Sequence, residues 1–169
     1  MIKYRYAKGN DGSIVDVLEL VRDKRHSLSP YICLGCNAEL IPNLGTEKTN
    51  YFSHKAVSNC SKETYLHALS KTIFLSKYAE CLLKNKPFIF KATYQTICYH
   101  YHSAHGEYCC GSIIKNIDLT KYFKKIESEK KFMGFVPDIL LLSEDKQEVT
   151  FIEIAVTHKC EDKKIKLGQ

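Results

Sequence analysis

The chain has 169 residues, 44% of them apolar and 26% charged, with a formal net charge of +6. That size suits one compact domain or a domain with a small appendage, and the apolar share is enough for a core. No apolar run approaches the roughly 18 residues of a membrane span, so no membrane association is expected. The start, MIKYRYAKGNDG, lacks the apolar stretch of a signal peptide, and the expected location is the cytoplasm. In that reducing compartment the eight cysteines read as metal ligands or buried thiols before disulfides. The positive balance favours an anionic partner but says nothing of the fold.

Lys3 to Ala7 and Ile14 to Leu20 are short β-like runs on either side of Gly-Asn-Asp-Gly, a hairpin signal. A Cys-x2-Cys knuckle follows at Cys33 and Cys36, then His54 and Cys60, giving C-x2-C-x17-H-x5-C. Three thiols and an imidazole at that spacing suit a closed tetrahedral zinc site, structural because no position stays open. The bland alternative is a pair of buried thiols and a surface histidine.

Ser61 is placed to cap a helix whose apolar residues recur from Leu66 to Leu83. Glu63, His67 and Lys71 lie at i, i+4 and i+8 on one face, for which the helix pattern alone favours a solvated stripe. Lys86 to Thr96 alternates like a long strand, expected to be the first of the main sheet. It runs into a segment holding Cys98, three histidines, Cys109 and Cys110. Cys98 and Cys109 are candidate ligands of a second zinc, against an irregular hairpin with inert thiols. Asp118 is a possible N-cap, and the charged stretch after it carries Lys121, Lys124, Lys125, Lys130 and Lys131.

Two apolar runs, Ile139 to Leu142 and Val149 to Val156, flank the polar turn 143–148 and predict a β-hairpin. Asp138 stands at the mouth of the first strand, and Glu153 is expected inside the second. A carboxylate within an apolar strand needs compensation. Two on paired strands make a cradle for a divalent ion that takes hard oxygen ligands.

Pro137-Asp138, the hairpin and Glu153 together resemble the PD-(D/E)xK nuclease superfamily, and within it the competence protein CoiA-like family. The zinc quartet is similar to the zinc-finger-like N-terminal region of CoiA-like proteins, where a Cys pair precedes a Phe-x-His element, here Phe52, His54 and Cys60. The stripe Glu63, His67 and Lys71 resembles their Glu-x3-His-x3-Lys helix. The chain departs from the pattern at Ala155, where the superfamily has Lys or Gln.

The resemblance implies an α+β chain: a small β-rich zinc-binding region over 1–60 and a restriction-endonuclease-like domain over 61–169. That domain would have a mixed sheet with core helices, and it reads as C-terminally truncated because no fourth strand follows the helix expected near Cys160. The implied activity is DNA hydrolysis with Mg2+ or Mn2+ on Asp138 and Glu153, Glu63 assisting, and Lys163 replacing the lysine absent at Ala155. His67, Lys71, Lys121, Lys124 and Lys125 would contact DNA phosphate. Two rivals stand beside this: a nuclease fold that binds nucleic acid or protein without cutting, and a structural zinc protein acting through protein contacts. The oligomeric state is open, a homodimer included.

Overall fold

The computed structural model describes residues 4–46, 49–97 and 110–156. Cys98, Cys109 and Lys163 therefore lie outside the described residues, with the helix expected near Cys160. The chain divides into two compact units, 1–74 with 153–169 and 75–152. Among the described residues no helix is long and apolar enough to cross a membrane.

The first unit is built on a five-stranded sheet of β1 (Tyr6–Lys8), β2 (Ile14–Asp16), β3 (Tyr31–Ile32), β4 (Glu39–Asn43) and β5 (Tyr51–His54). Its order is β2-β1-β3-β4-β5, and every pairing is antiparallel. The first hairpin forms as the Gly-Asn-Asp-Gly signal predicts, but its second strand stops early. The Asp16 carboxylate accepts from the Leu18 amide and turns Val17–Glu19 into a short 3-10 turn. Tyr4, Ala7, Val17, Tyr31, Leu40 and Phe52 form the core under this sheet, joined by Tyr65 and Leu69.

Tyr65 and Leu69 belong to α1 (Lys62–Leu83), which starts in the first unit and ends in the second. The Ser61 hydroxyl accepts from the Thr64 amide at 2.9 Å, the N-cap its position predicts. The far end closes on Asn85, left-handed at φ 51°, with the Asn85 amide on the Leu82 carbonyl and the Lys86 amide on the Cys81 carbonyl. That is a Schellman stop with asparagine in the position that favours glycine.

In the second unit β6 (Ile89–Ile97) pairs with β7 (Cys110–Asp118) as a separate two-stranded ribbon. The expectation that this strand opens the main sheet is thus corrected. Asp118 caps α2 (Leu119–Tyr122), which is a single turn, and the charged stretch after it enters β8 (Lys125–Ser128) instead of extending a helix. β8, β9 (Ile139–Leu142) and β10 (Val149–Ile152) form an antiparallel meander in the order β10-β9-β8. The central strand has no exposed face: Ile139, Leu140 and Leu141 are all at 0% exposure, so the run is apolar throughout instead of alternating.

The hairpin over 139–152 agrees with its sequence pattern, and its turn is closed by the Ser143 hydroxyl, which meets the Asp145 carboxylate and accepts from the Glu148 amide. Glu153 does not lie inside β10. The strand ends at Ile152, and Glu153 to Ala155 have no regular structure. The molecule is α+β, as expected. The mixed sheet implied by the nuclease resemblance is not formed among the described residues, where all pairings are antiparallel.

Candidate metal centre

Local backbone chemistry makes the knuckle. The Cys33 amide donates to the Ala38 carbonyl at 2.8 Å and the Asn37 amide returns to the Cys33 carbonyl at 2.9 Å. Asn37 takes φ 59°, a left-handed position that asparagine tolerates well. Gly35 sits where a Cβ would lie 2.9 Å from the Tyr65 backbone, so the knuckle rests directly on the first turn of α1. His54 ends β5, paired across to Leu40 of β4, and Cys60 precedes the helix cap.

These elements bring one ligand atom each from Cys33, Cys36, His54 and Cys60 within 4.8 Å of one another. The Cys33 and Cys60 sulfurs are 3.8 Å apart, and the Cys36 sulfur is 3.2 Å from His54 Nε2. Tetrahedral ligation with Zn–S bonds of about 2.3 Å sets sulfur–sulfur edges of roughly 3.8 Å. Cys33 is fully buried and the other three are partly so. The donor set and its closeness fit a structural ion such as zinc.

The electrostatics point the same way. Burial together with the Cys33 and Cys36 thiols pushes the Cys60 thiol up to about 12. Burial also opposes ionisation of Cys36, but hydrogen bonds with Ser58, the Ala38 backbone, Cys33 and His54 outweigh it and bring that thiol down to about 6. The Cys60 thiol is held protonated beside a Cys36 thiol that ionises readily, an imbalance that a divalent cation would relieve.

The surroundings that hold the ligands are less legible in the sequence. The Ser58 hydroxyl is 3.5 Å from the Cys36 sulfur and accepts from the Cys60 amide. Tyr4 stacks edge-on against His54 with ring centres 4.8 Å apart and donates to the Cys60 carbonyl. Burial, with Cys60 behind it, pushes the Tyr4 phenol up to about 12, so it remains a donor. Tyr65 is buried against Tyr4, and its hydroxyl accepts from the Tyr6 amide and donates to the Tyr6 carbonyl. A serine two residues before Cys60 was the one local clue; the tyrosines act from a distance in sequence that no spacing reveals.

Residues 17–63 match the family model of Competence protein CoiA, N-terminal domain. All four cluster residues fall within that segment, and the match supports a CoiA-like family for this part of the chain. No curated protein and no solved structure matches the chain.

The other candidates lie on elements of both units. On α1, Glu63 is exposed, while His67 and Lys71 are partly buried on the same unit's half of the helix. Lys121 and Lys124 flank the end of α2, and Lys125 opens β8, all three exposed in the second unit. Asp138 precedes β9 and is partly buried after the fully buried Pro137. The Asp138 carbonyl accepts from the Glu129 amide and the Ser128 hydroxyl, both at 3.2 Å, which anchors its backbone. Glu153 is partly buried and belongs to the returning segment of the first unit.

Proposed function

We propose that this chain is a zinc-stabilised, metal-dependent DNA endonuclease of the PD-(D/E)xK kind, with its zinc on Cys33, Cys36, His54 and Cys60. The observation that supports the catalytic half is the order of elements: α1, then, after the β6-β7 ribbon and α2, the meander β8-β9-β10, with Asp138 before the buried central strand. Helix followed by three antiparallel strands is how the superfamily core begins. The β9–β10 pairing closes at Ile139–Ile152, and Asp138 and Glu153 are the next residues of the two chain segments.

In this reading the region 61–169 is the nuclease domain and 1–60 its zinc-bearing appendage. Asp138 and Glu153 offer hard oxygen donors to Mg2+ or Mn2+, with Glu63 assisting. A divalent ion held there would neutralise phosphate charge and lower the pKa of its bound water. Lys163 supplies the ammonium that Ala155 cannot, and His67, Lys71, Lys121, Lys124 and Lys125 hold the DNA backbone. The protein works in the cytoplasm on DNA.

One observation favours the second reading, a nuclease fold that binds without cutting: Ala155, exposed and with no side-chain chemistry, stands where the superfamily lysine belongs. Zinc-loaded protein incubated with supercoiled and single-stranded DNA and Mg2+ or Mn2+ decides between them. Divalent-dependent cleavage that falls to background in both Asp138→Asn and Glu153→Gln is the expected result. Wild type as silent as the variants on every substrate and metal would leave only the binding module.

A further inference from the structure

The second unit contains a recess of about 740 Å3 where the end of α1, the start of β6, the end of β7 and α2 come together. That is within the range of small-molecule and single-residue binding pockets. Asn85, Lys86, Asn116, Lys121, Tyr122 and Lys124 face it, all of them exposed. Only Lys121 and Lys124 were singled out by the sequence, as members of a charge run. The recess adds a third lysine, two amides and an aromatic ring that the linear order keeps apart.

The walls are built and not merely surface. Asn85 and Lys86 are set by the Schellman stop of α1. The Lys124 ammonium donates to the Thr120 carbonyl at 2.6 Å, which pins it at the rim. Tyr122 is 54% exposed although the adjacent Phe123 is buried. The one carboxylate in the recess, Asp118, is already engaged: its Oδ1 accepts from the Phe88 amide, the Thr120 amide and the Thr120 hydroxyl. Three lysines thus line the recess beside a single carboxylate, whose Oδ1 is held by three neutral donors.

Each wall component has a complement in an unpaired nucleotide. Ammonium groups meet phosphate, an exposed phenol ring offers a face on which a base stacks, and amides carry the donor–acceptor pairs that read a base edge. A duplex hides its base faces, and an acidic peptide would leave the ring and the amides unmatched. A smaller recess shares Lys121, Tyr122 and Lys124 as a wall and continues along the turn of β9 and β10, where Glu144, Asp145 and Glu148 line its other side. A polyanion is repelled there and admitted from the α1 and β7 side.

We propose that this recess binds an unpaired nucleotide of a single-stranded nucleic acid, with phosphate on Lys86, Lys121 and Lys124 and the base against Tyr122. The inference rests on the reading of the chain as a nucleic-acid protein and not on its catalysis. The test is fluorescence anisotropy of a labelled oligothymidylate with the full-length, zinc-loaded chain in magnesium-free buffer, so that binding is read whether or not the protein cuts. Tyr122→Ala weakens binding roughly tenfold and Tyr122→Phe restores it, since the ring and not the hydroxyl stacks.

The double variant Lys86→Gln/Lys121→Gln weakens binding and makes the salt dependence shallower by about 1.4 in log–log slope, about 0.7 per phosphate contact on a single strand. Lys77→Gln, a control on the exposed Lys77–Glu80 pair outside the recess, changes neither. Duplex of equal length binding as tightly as the strand, or Tyr122→Ala binding like wild type, overturns the proposal. Thymidine monophosphate competing as well as the oligonucleotide overturns the assignment to a strand. Tyr122-dependent binding by a protein that never cleaves DNA would remove the endonuclease reading and leave this one standing.

Discussion

Gly35 shows how much one missing methyl group decides. A Cβ there would press on the backbone of Tyr65 at 2.9 Å, and neither the knuckle nor the helix turn can yield without moving a ligand. Gly35→Ala should cost about 1–3 kcal/mol, the range for forced overpacking, read by chemical denaturation of the zinc-loaded protein. An unchanged midpoint would mean that the knuckle does not rest on α1. Asp16 carries a pH signature outside the metal centre. The Arg5 guanidinium, 2.6 Å from its carboxylate, holds Asp16 below its ordinary value of 3.8, against the opposing effect of burial. A folded value below the unfolded one adds stability that is complete above about pH 4 and is lost as pH falls through the folded value. Asp16→Asn should therefore flatten the acid limb of the stability curve; a curve parallel to wild type would contradict the assignment.

The elements differ in how openly the sequence declares them. The apolar run over 139–142 and its partner after the polar turn are legible because a buried central strand needs no alternation. The cap at Ser61 is legible because it is local chemistry. β8 is not: Asp118 followed by lysines and glutamates looks like a helix start, but α2 stops after one turn. The Lys124 amide then bonds the Leu142 carbonyl, and pairing with β9 claims the next four residues. Long-range pairing with a fully buried strand outweighs a weak local preference. The role of Tyr65 was equally hidden, since its hydroxyl ties α1 to both backbone groups of Tyr6, 59 residues away. Tyr65→Phe should cost about 0.5–1.5 kcal/mol because the partly buried Tyr6 amide and carbonyl lose that partner. Zinc content, measured by elemental analysis, should stay that of wild type, which separates helix docking from metal loss.

For the whole molecule, the candidate metal centre was the most legible feature: four potential ligands at finger-like spacing in a chain rich in cysteine. The proposed acidic pair, Asp138 and Glu153, was legible only as carboxylates at a hairpin, of which the structure describes the β9–β10 pairing that ends at Ile139–Ile152. If zinc supports the first unit, chelation should remove hydrogen-exchange protection from Tyr31 to His54 before the β8-β9-β10 meander is affected, because ligand binding and folding of such a site are one free energy. Uniform loss of protection across both units would contradict a unit-specific role for the ion. The most direct test of the account is the metal itself. Native mass spectrometry with X-ray absorption at the zinc edge should find an ion at the centre ligated by three sulfurs and one nitrogen, with His54→Ala losing the nitrogen and much of the affinity. A chain that folds and stays folded with no metal at Cys33, Cys36, His54 and Cys60, or with an oxygen-rich shell at the zinc, would contradict it.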